Sequence, residues 1–218
     1  MILTEGYTLE RKNIKHARIR VSEDKQVRVL VPYSFTDEDI SALMTKKSKW
    51  ISKQLAFFDK KSQIELNRNQ LLFYGNRYSY FYDETYSRKI VIDHSFKTIR
   101  AKKDLLDPKI QKNWYKKEAR KYLVSRTEEL AKSLSFSYKA IYVRDQKTKL
   151  GNCSQDGNIS LNWRLIKAPT LVSDYIIIHE LVHTRIMSHS SKFWTMLKSL
   201  YPDYKDAMNW LDKYGNSL

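Results

Sequence analysis

The segment HELVHTRIMSH, residues 179–189, restricts the fold of this chain more than any other stretch of its sequence. Residues four apart on an α-helix differ by about 40° around the axis, so His179 and His183 project from the same face, one turn apart. Glu180 lies about 60° from His183 on that side, near enough to contact a water molecule without itself binding a metal. The segment therefore predicts a helix that carries an HExxH zinc motif.

A third zinc ligand is expected, because a catalytic zinc is held by three protein side chains and keeps a fourth position open. His189 is the remaining histidine of the segment, six residues after His183. On an unbroken helix it would lie about 9 Å further along the axis. The chain must therefore leave the helix after about Arg185 and fold back. Ser188 and Ser190 favour such a break, because serine is a poor residue inside a helix and a good cap.

An alternative is that these histidines only pack in the protein core. The run SDYIIIHELVHTRI, residues 173–186, is too apolar for a surface helix. Burying two histidines and a glutamate there without partners would cost several kcal/mol, and a bound metal removes that cost. We therefore predict one zinc ion per chain on His179, His183 and His189, with Glu180 as the catalytic general base.

The N-terminal half combines strand and helix patterns. Residues 8–31 alternate apolar and polar side chains, which predicts a hairpin that turns at residues 23–25. Thr36 with Asp39 resembles an N-cap pair, and apolar residues then recur at helical spacing. Residues 71–100, rich in Tyr, Phe, Ile and Val, predict short antiparallel strands. The sequence shows no internal repeat.

A long helix is predicted to begin at Asp107-Pro108 and to end near Leu134. Its basic side chains fall on a face separate from the apolar one. We call this face the basic stripe, and it consists of Lys109, Lys112, Lys116 and Arg120. Strands return after residue 139, with Asp156-Gly157 as a hairpin turn.

Three helices are predicted in the C-terminal third. The first runs through the HExxH segment and is capped by Thr170 or Ser173, the second is capped by Ser190, and the third is short. The order of strands and helices indicates an α+β fold rather than a parallel α/β sheet. We expect an N-terminal strand and helix region at residues 1–135 and a catalytic core at 136–218, joined in one continuous compact unit.

The net charge of +16, from 40 basic and 24 acidic residues, is concentrated in the middle of the chain. Residues 61–140 carry 18 basic and 9 acidic side chains and so supply +9 of it (18 − 9). A field of this sign attracts polyanions, which makes nucleic acid or a nucleotide a candidate partner through the basic residues of 97–126. The alternative is that the basic stripe is only the solvated face of an amphipathic helix.

The single cysteine, Cys153, excludes an intrachain disulfide, and a reducing compartment fits that composition. The first twenty residues lack an apolar core long enough for a signal peptide. The apolar run YIIIHELV, residues 175–182, is far too short to span a bilayer. We expect a cytoplasmic protein without a membrane segment, and the sequence does not predict an oligomeric state.

Several runs of the sequence resemble one known family. They are RKNIKHARIRV (11–21), KKSKWI (46–51), RDQKTKLGNCS (144–154), GNISLNWRLIKAP (157–169), DYIIIHELVHTRIMSHSSKFW (174–194) and YPDYKDAMNWL (201–211). These runs resemble the YgjP-like metallopeptidase domain, which is related to the SprT and WLM zincins. The resemblance implies a zincin-like α+β fold, with antiparallel strands and an active-site helix preceded by an N-terminal hairpin and helix. It also implies zinc on the three matching histidines and catalysis by Glu180.

One departure from the family pattern lies beside the expected site. The family usually has Trp-Gly-Ser-Cys where this chain has Leu150, Gly151, Asn152 and Cys153. We assign Cys153 to packing beside the site, because a fourth protein ligand would leave a zinc ion no open position.

The expected function is that of a zinc-dependent metallopeptidase, in which zinc activates a water molecule and Glu180 accepts its proton. In zincins an edge strand above the active-site helix pairs with an extended protein or peptide substrate. The candidate strand consists of Asn158, Ile159, Ser160, Leu161 and Asn162. Asp174, Asp203 and Asp206 are candidates for carboxylates that orient the ligands.

Two alternatives belong to other classes. In the first, the same zinc site hydrolyses a phosphoanhydride or phosphodiester of a nucleotide, such as a nucleoside triphosphate, or of nucleic acid. In the second, the domain binds nucleic acid and its zinc is structural or vestigial. The presence of Glu180 favours a catalytic site, because a structural zinc does not need it.

Overall fold

A computed structural model describes residues 2–4, 6–22, 26–59, 66–87 and 90–218. Contacts divide the chain into two compact units, Met1–Ser62 and Gln63–Leu218. The boundary therefore falls between residues 62 and 63, whereas the sequence placed it after residue 135. The reason is that the long helix at 108–133 packs in the same core as the HExxH helix. Among the described residues, no helix is long and apolar enough to cross a membrane.

The first unit is a four-stranded sheet followed by a helix. Its elements are β1 (Ile2–Thr4), β2 (Tyr7–Lys12), β3 (Arg18–Val21), β4 (Val27–Pro32) and α1 (Asp37–Asp59). Strands β3 and β4 form the predicted antiparallel hairpin, with Ile19 opposite Val29. The predicted turn at 23–25 lies outside the described residues. The Thr36 and Asp39 cap is confirmed, since the Thr36 N–H donates to Asp39 Oδ2 at 3.0 Å and the Asp39 N–H to Thr36 Oγ1 at 3.2 Å.

The second unit begins with another four-stranded sheet. Its strands are β5 (Gln70–Phe73), β6 (Asn76–Tyr82), β7 (Ile90–Asp93) and β8 (Thr98–Ala101). They lie in the order β5-β6-β8-β7, which matches the order β1-β2-β4-β3 of the first sheet. In each sheet two antiparallel hairpins are joined by a parallel pair, β2 with β4 and β6 with β8. The prediction of antiparallel strands at residues 71–100 holds for the two hairpins and is wrong for the pair of β6 with β8. The fold thus repeats a unit that the sequence does not reveal.

Helix α2 (Pro108–Ser133) follows the second sheet and starts where the sequence predicted. Asp107 caps it, because its Oδ1 accepts from the Ile110 N–H at 2.8 Å. The basic stripe on α2 is partly neutralised within the protein. Lys112 and Lys116 place their Nζ atoms 2.7 and 3.3 Å from Asp145 Oδ2. Two of the four stripe residues are therefore ion-paired within the protein.

A third sheet and three helices complete the second unit. The elements are β9 (Ala140–Arg144), β10 (Gly151–Cys153), β11 (Asn158–Asn162), a 3-10 helix (Trp163–Lys167), α3 (Thr170–His183), α4 (Ser191–Leu200), α5 (Tyr204–Tyr214) and a 3-10 helix (Gly215–Ser217). The predicted turn at Asp156-Gly157 joins β10 to β11, with Gly157 at φ +76°. Separate sheets and five α-helices in the described part of the chain confirm the α+β class. The strand order is β10-β11-β9, and β11 pairs parallel with β9.

Candidate metal centre and active site

Helix α3 places the HExxH segment in the protein interior. Of its fourteen residues ten are buried, and Ile177, Leu181 and Val182 have no exposed surface. Its N-terminus differs from the prediction, because Pro169 occupies the cap position and no side chain caps the helix. Ser173 instead donates its hydroxyl to the Leu165 carbonyl at 3.1 Å. A helix held on most sides by the core fixes the direction of its histidines.

The chain leaves α3 at His183, two residues before the predicted position. Turn residues follow, and the Ile186 N–H donates to the Val182 carbonyl at 2.9 Å. The chain then folds back, so that His189 approaches both helix histidines. The predicted cap of the next helix, Ser190, stands at the right position but makes no side-chain capping bond.

The three predicted ligands converge through the same ring atom. The Nε2 atoms of His179 and His183 are 3.1 Å apart, those of His183 and His189 are 3.2 Å apart, and those of His189 and His179 are 3.0 Å apart. Two nitrogens bound to zinc at about 2.0–2.1 Å in tetrahedral geometry lie about 3.3 Å from each other. The donor triangle therefore fits one zinc-sized ion. Within the described part of the chain, these three side chains form the one cluster able to hold a metal.

A backbone carbonyl orients His183. Its Nδ1 lies 3.0 Å from the Ile186 carbonyl oxygen, which only accepts hydrogen bonds, so Nδ1 carries the proton and Nε2 keeps its lone pair for a metal. Two of the carboxylates that the sequence suggested as partners of the histidines have other roles in the structure. Asp174 forms a two-pronged ion pair with Arg126 at 2.8 and 2.7 Å, and Asp203 stands at the N-cap of α5.

Phe193 is a site residue that the sequence did not reveal. It lies on α4, has no exposed surface, and packs its ring against all three histidines. The ring centroids are 4.9 Å from His179, 4.6 Å from His183 and 4.8 Å from His189. An apolar residue near the start of a helix carries no special pattern, so only the folded chain shows this role.

Burial favours the neutral form of two of the three histidines. Burial, followed by the neighbouring imidazoles, lowers the pKa of His179 to about 4, and burial lowers the pKa of His183 as well. Both rings are therefore uncharged at neutral pH, the form that binds metals. The Nδ1 atom of His179 is buried without a hydrogen-bond partner among the described residues.

Glu180 is buried at the next position of α3, with 5% of its surface exposed. Burial raises the pKa of its carboxyl to about 8, and Lys149 opposes that shift. Its Oε2 atom is also buried without a partner in the part of the chain that the structure describes. A cation nearby would lower this pKa, because an opposite charge favours the carboxylate.

The predicted substrate strand is not the edge strand that the sequence suggested. Residues Asn158–Asn162 form β11, which is the central strand of its sheet and pairs on both sides. The free edge on the side of Glu180 belongs to β10, for which the structure describes no second partner. An alternating hydrophobic pattern predicts a strand but not its place in a sheet, because that place depends on distant pairing.

Cys153 lies on this edge strand, half buried. Burial, with a smaller effect of the Glu180 charge, raises the pKa of its thiol to about 11. A thiol with a raised pKa stays protonated at neutral pH and is a poor metal ligand. Its sulfur is also outside the cluster of converging donors.

The three imidazoles on a helix and its following turn define a candidate metal centre of the kind found in metal-dependent hydrolases. A family model described as YgjP-like, metallopeptidase domain, matches residues 15–214. The chain therefore belongs to the YgjP-like metallopeptidase domain family. Membership implies a metal cofactor, and the three histidines are the described residues placed to hold it.

A solved structure is also similar to this chain, the crystal structure of the metallopeptidase zymogen of Pyrococcus abyssi abylysin. The identity is 23% and the TM-score is 0.37, and the match covers 41% of this chain and 90% of that one. No curated protein matches the chain.

Proposed function

We propose that this protein is a zinc-dependent peptidase in which His179, His183 and His189 hold the ion and Glu180 is the general base. The main support is the triangle of Nε2 atoms, with sides of 3.0–3.2 Å, on the helix that carries Glu180. Three donors leave the fourth position that catalysis requires. A purely structural zinc would be closed by a fourth protein ligand.

The chemistry follows from the surroundings of Glu180. A bound zinc ion would polarise a substrate carbonyl and lower the pKa of a water molecule. Glu180 takes a proton from the attacking water as its oxygen bonds to the carbonyl carbon. The same carboxyl then gives that proton to the amide nitrogen as the C–N bond breaks. Burial alone raises the pKa of this carboxyl to about 8, and the charge of a bound cation would lower it and favour the carboxylate that accepts the proton.

The substrate would lie along β10 rather than β11. In the hairpin the Asn162 N–H donates to the Leu150 carbonyl at 2.8 Å, and the Ser154 N–H donates to the Asn158 carbonyl at 2.9 Å. Bonding residues alternate along an antiparallel strand, so the main-chain groups of Gly151 and Cys153 point to the free edge. An extended peptide would pair with these two residues.

A single substitution tests the role of Glu180. Glu180→Gln keeps nearly the same volume but removes the proton acceptor. We expect zinc content and thermal melting close to wild type, and hydrolysis of casein reduced by about 100-fold or more. His183→Ala is the matched variant that should lose zinc and activity together. Wild-type turnover by Glu180→Gln would refute the general base, and joint loss of metal and stability would make Glu180 a ligand.

The same assay separates the alternative substrates. Wild-type protein is incubated with casein, with nucleoside triphosphates and with a DNA-bound protein, each with and without chelator. Chelator-sensitive release of phosphate from nucleotides, without cleavage of either protein, would favour the nucleotide hydrolase over the peptidase.

A further inference from the structure

Gly151 occupies a position where the backbone does not need glycine. Its φ lies outside the positive range that side chains avoid, so its conformation accepts any residue. The glycine is explained instead by the lack of space for a side chain beside Glu180. A Cβ atom built on Gly151 would lie 2.6 Å from Glu180 Oε1, 2.9 Å from its Cγ and 3.0 Å from its Cδ. The side chain of Glu180 therefore rests directly on the main chain of β10.

Neither side of this contact has room to retreat. The β10 strand is fixed by its ladder with β11, in which Asn152 faces Ser160. The Gln146 side-chain amide also donates to Asn152 Oδ1 at 2.6 Å. Helix α3 is fixed by buried neighbours of Glu180 such as Leu181, which has no exposed surface. A side chain at position 151 would therefore displace the Glu180 side chain itself.

We propose that Gly151 is a positioning residue for Glu180, which brings the base against the strand that receives the substrate. The free edge of β10 would then position the substrate. The face of the same strand, at Gly151, would position the Glu180 carboxyl. This inference rests on the proposed roles of Glu180 and β10.

The size of the effect follows from the distances. Ordinary contacts begin at 3.4 Å, so the Oε1 atom must move by about 0.8 Å (3.4 − 2.6) to admit a methyl group. Misplacing a reacting group by about 1 Å costs about 100-fold in rate. The methyl group would point toward α3 and leave the edge groups of β10 unchanged. Gly151→Ala should therefore lower kcat by about 100-fold and leave KM and zinc content near wild type.

The contact itself is tested without any substrate, by a double-mutant cycle in thermal melting. Gly151→Ala should lower Tm in the wild-type background. It should have little effect in a Glu180→Ala background, where the atoms that clash are absent. Gly215→Ala is the control, because its added Cβ would meet Leu211 at an ordinary 3.6 Å. If Gly151→Ala alone fails to fold, recovery of folding in the double variant supports the contact.

The outcomes separate this inference from the proposed function. Equal Tm losses in both backgrounds would overturn the contact, whatever the enzyme does. A wild-type protein that cleaves casein and a Gly151→Ala variant with unchanged kcat would overturn the positioning role. A wild-type protein that cleaves no substrate, together with a coupled melting cycle, would refute the peptidase and retain Gly151 as the residue that places Glu180.

Discussion

Phe193 is a buried residue whose loss should affect both the stability of the fold and the binding of a metal. Its ring has no exposed surface and contacts all three histidine rings at 4.6–4.9 Å between centroids. Truncation of a buried Phe to Ala costs about 3–5 kcal/mol of unfolding free energy. It would also leave the three imidazoles without a common support. Loss of a residue that orients metal ligands lowers affinity by about 10–100-fold. Phe193→Ala should therefore lose stability and zinc affinity together.

Leu197 provides the matched control for Phe193. It lies one turn further along α4 and is equally buried, so Leu197→Ala should cost about 2–5 kcal/mol of stability without touching the ligands. Unfolding free energies are measured by denaturant titration in chelator, and zinc affinity by competition with a chromophoric chelator. We expect Phe193→Ala to bind zinc at least about tenfold more weakly than wild type, and Leu197→Ala to bind it with near-wild-type affinity. Equal zinc affinities in the two variants would show that Phe193 only fills space.

Three further predictions concern the second unit. The Lys112 ammonium and the other donors around Asp145 hold the pKa of its carboxyl below the ordinary value. The stability from Asp145 is therefore present above the unfolded pKa of about 3.9 and lost as pH falls through the lower folded value. Asp145→Asn should lower Tm at pH 7 and flatten the acid limb of the stability curve, and an unchanged acid limb would contradict the pairing. Asp174→Asn should lower Tm, because the ion pair with Arg126 is lost, and should keep full zinc content. Loss of zinc would instead show that Asp174 orients a metal ligand, as the sequence suggested. Lys109 and Arg120 are the stripe residues that do not pair with Asp145. Replacing both with Glu should weaken any DNA binding and reduce its salt dependence. Unaltered binding would show that the stripe does not contact DNA.

The sequence predicted the convergence of the three histidines because its signal is local. The spacing of His179 and His183 follows from helix geometry alone, and the serines around His189 marked the reversal that brings it back. The partner of His183 was missed because it is the Ile186 carbonyl, and a backbone group has no sequence signature. Phe193 was missed because a buried aromatic residue near a helix start resembles any other core residue.

The sheets were harder to predict than the helices. The sequence correctly indicated a strand at β11, yet its central position arises from pairing with β9, about eighteen residues earlier in the chain (Asn158 with Ala140). The parallel pairs β2–β4 and β6–β8 join hairpins across intervening strands, and neither pairing leaves a local pattern. Pairing between distant segments is decided by tertiary packing, which a single sequence expresses only weakly.

The short segment from His183 to His189 has a consequence for the kinetics of metal exchange. Two of the proposed ligands, His179 and His183, lie on a helix that the core immobilises, and the third, His189, lies on a turn whose residues are largely exposed. Opening this turn is a local fluctuation that leaves the core intact, so it requires far less free energy than global unfolding. We expect amide hydrogens of residues 187–190 to exchange with deuterium much faster than those of α3, and bound zinc to slow that exchange. The rate of zinc release would then follow the opening of this turn rather than the unfolding rate of the domain.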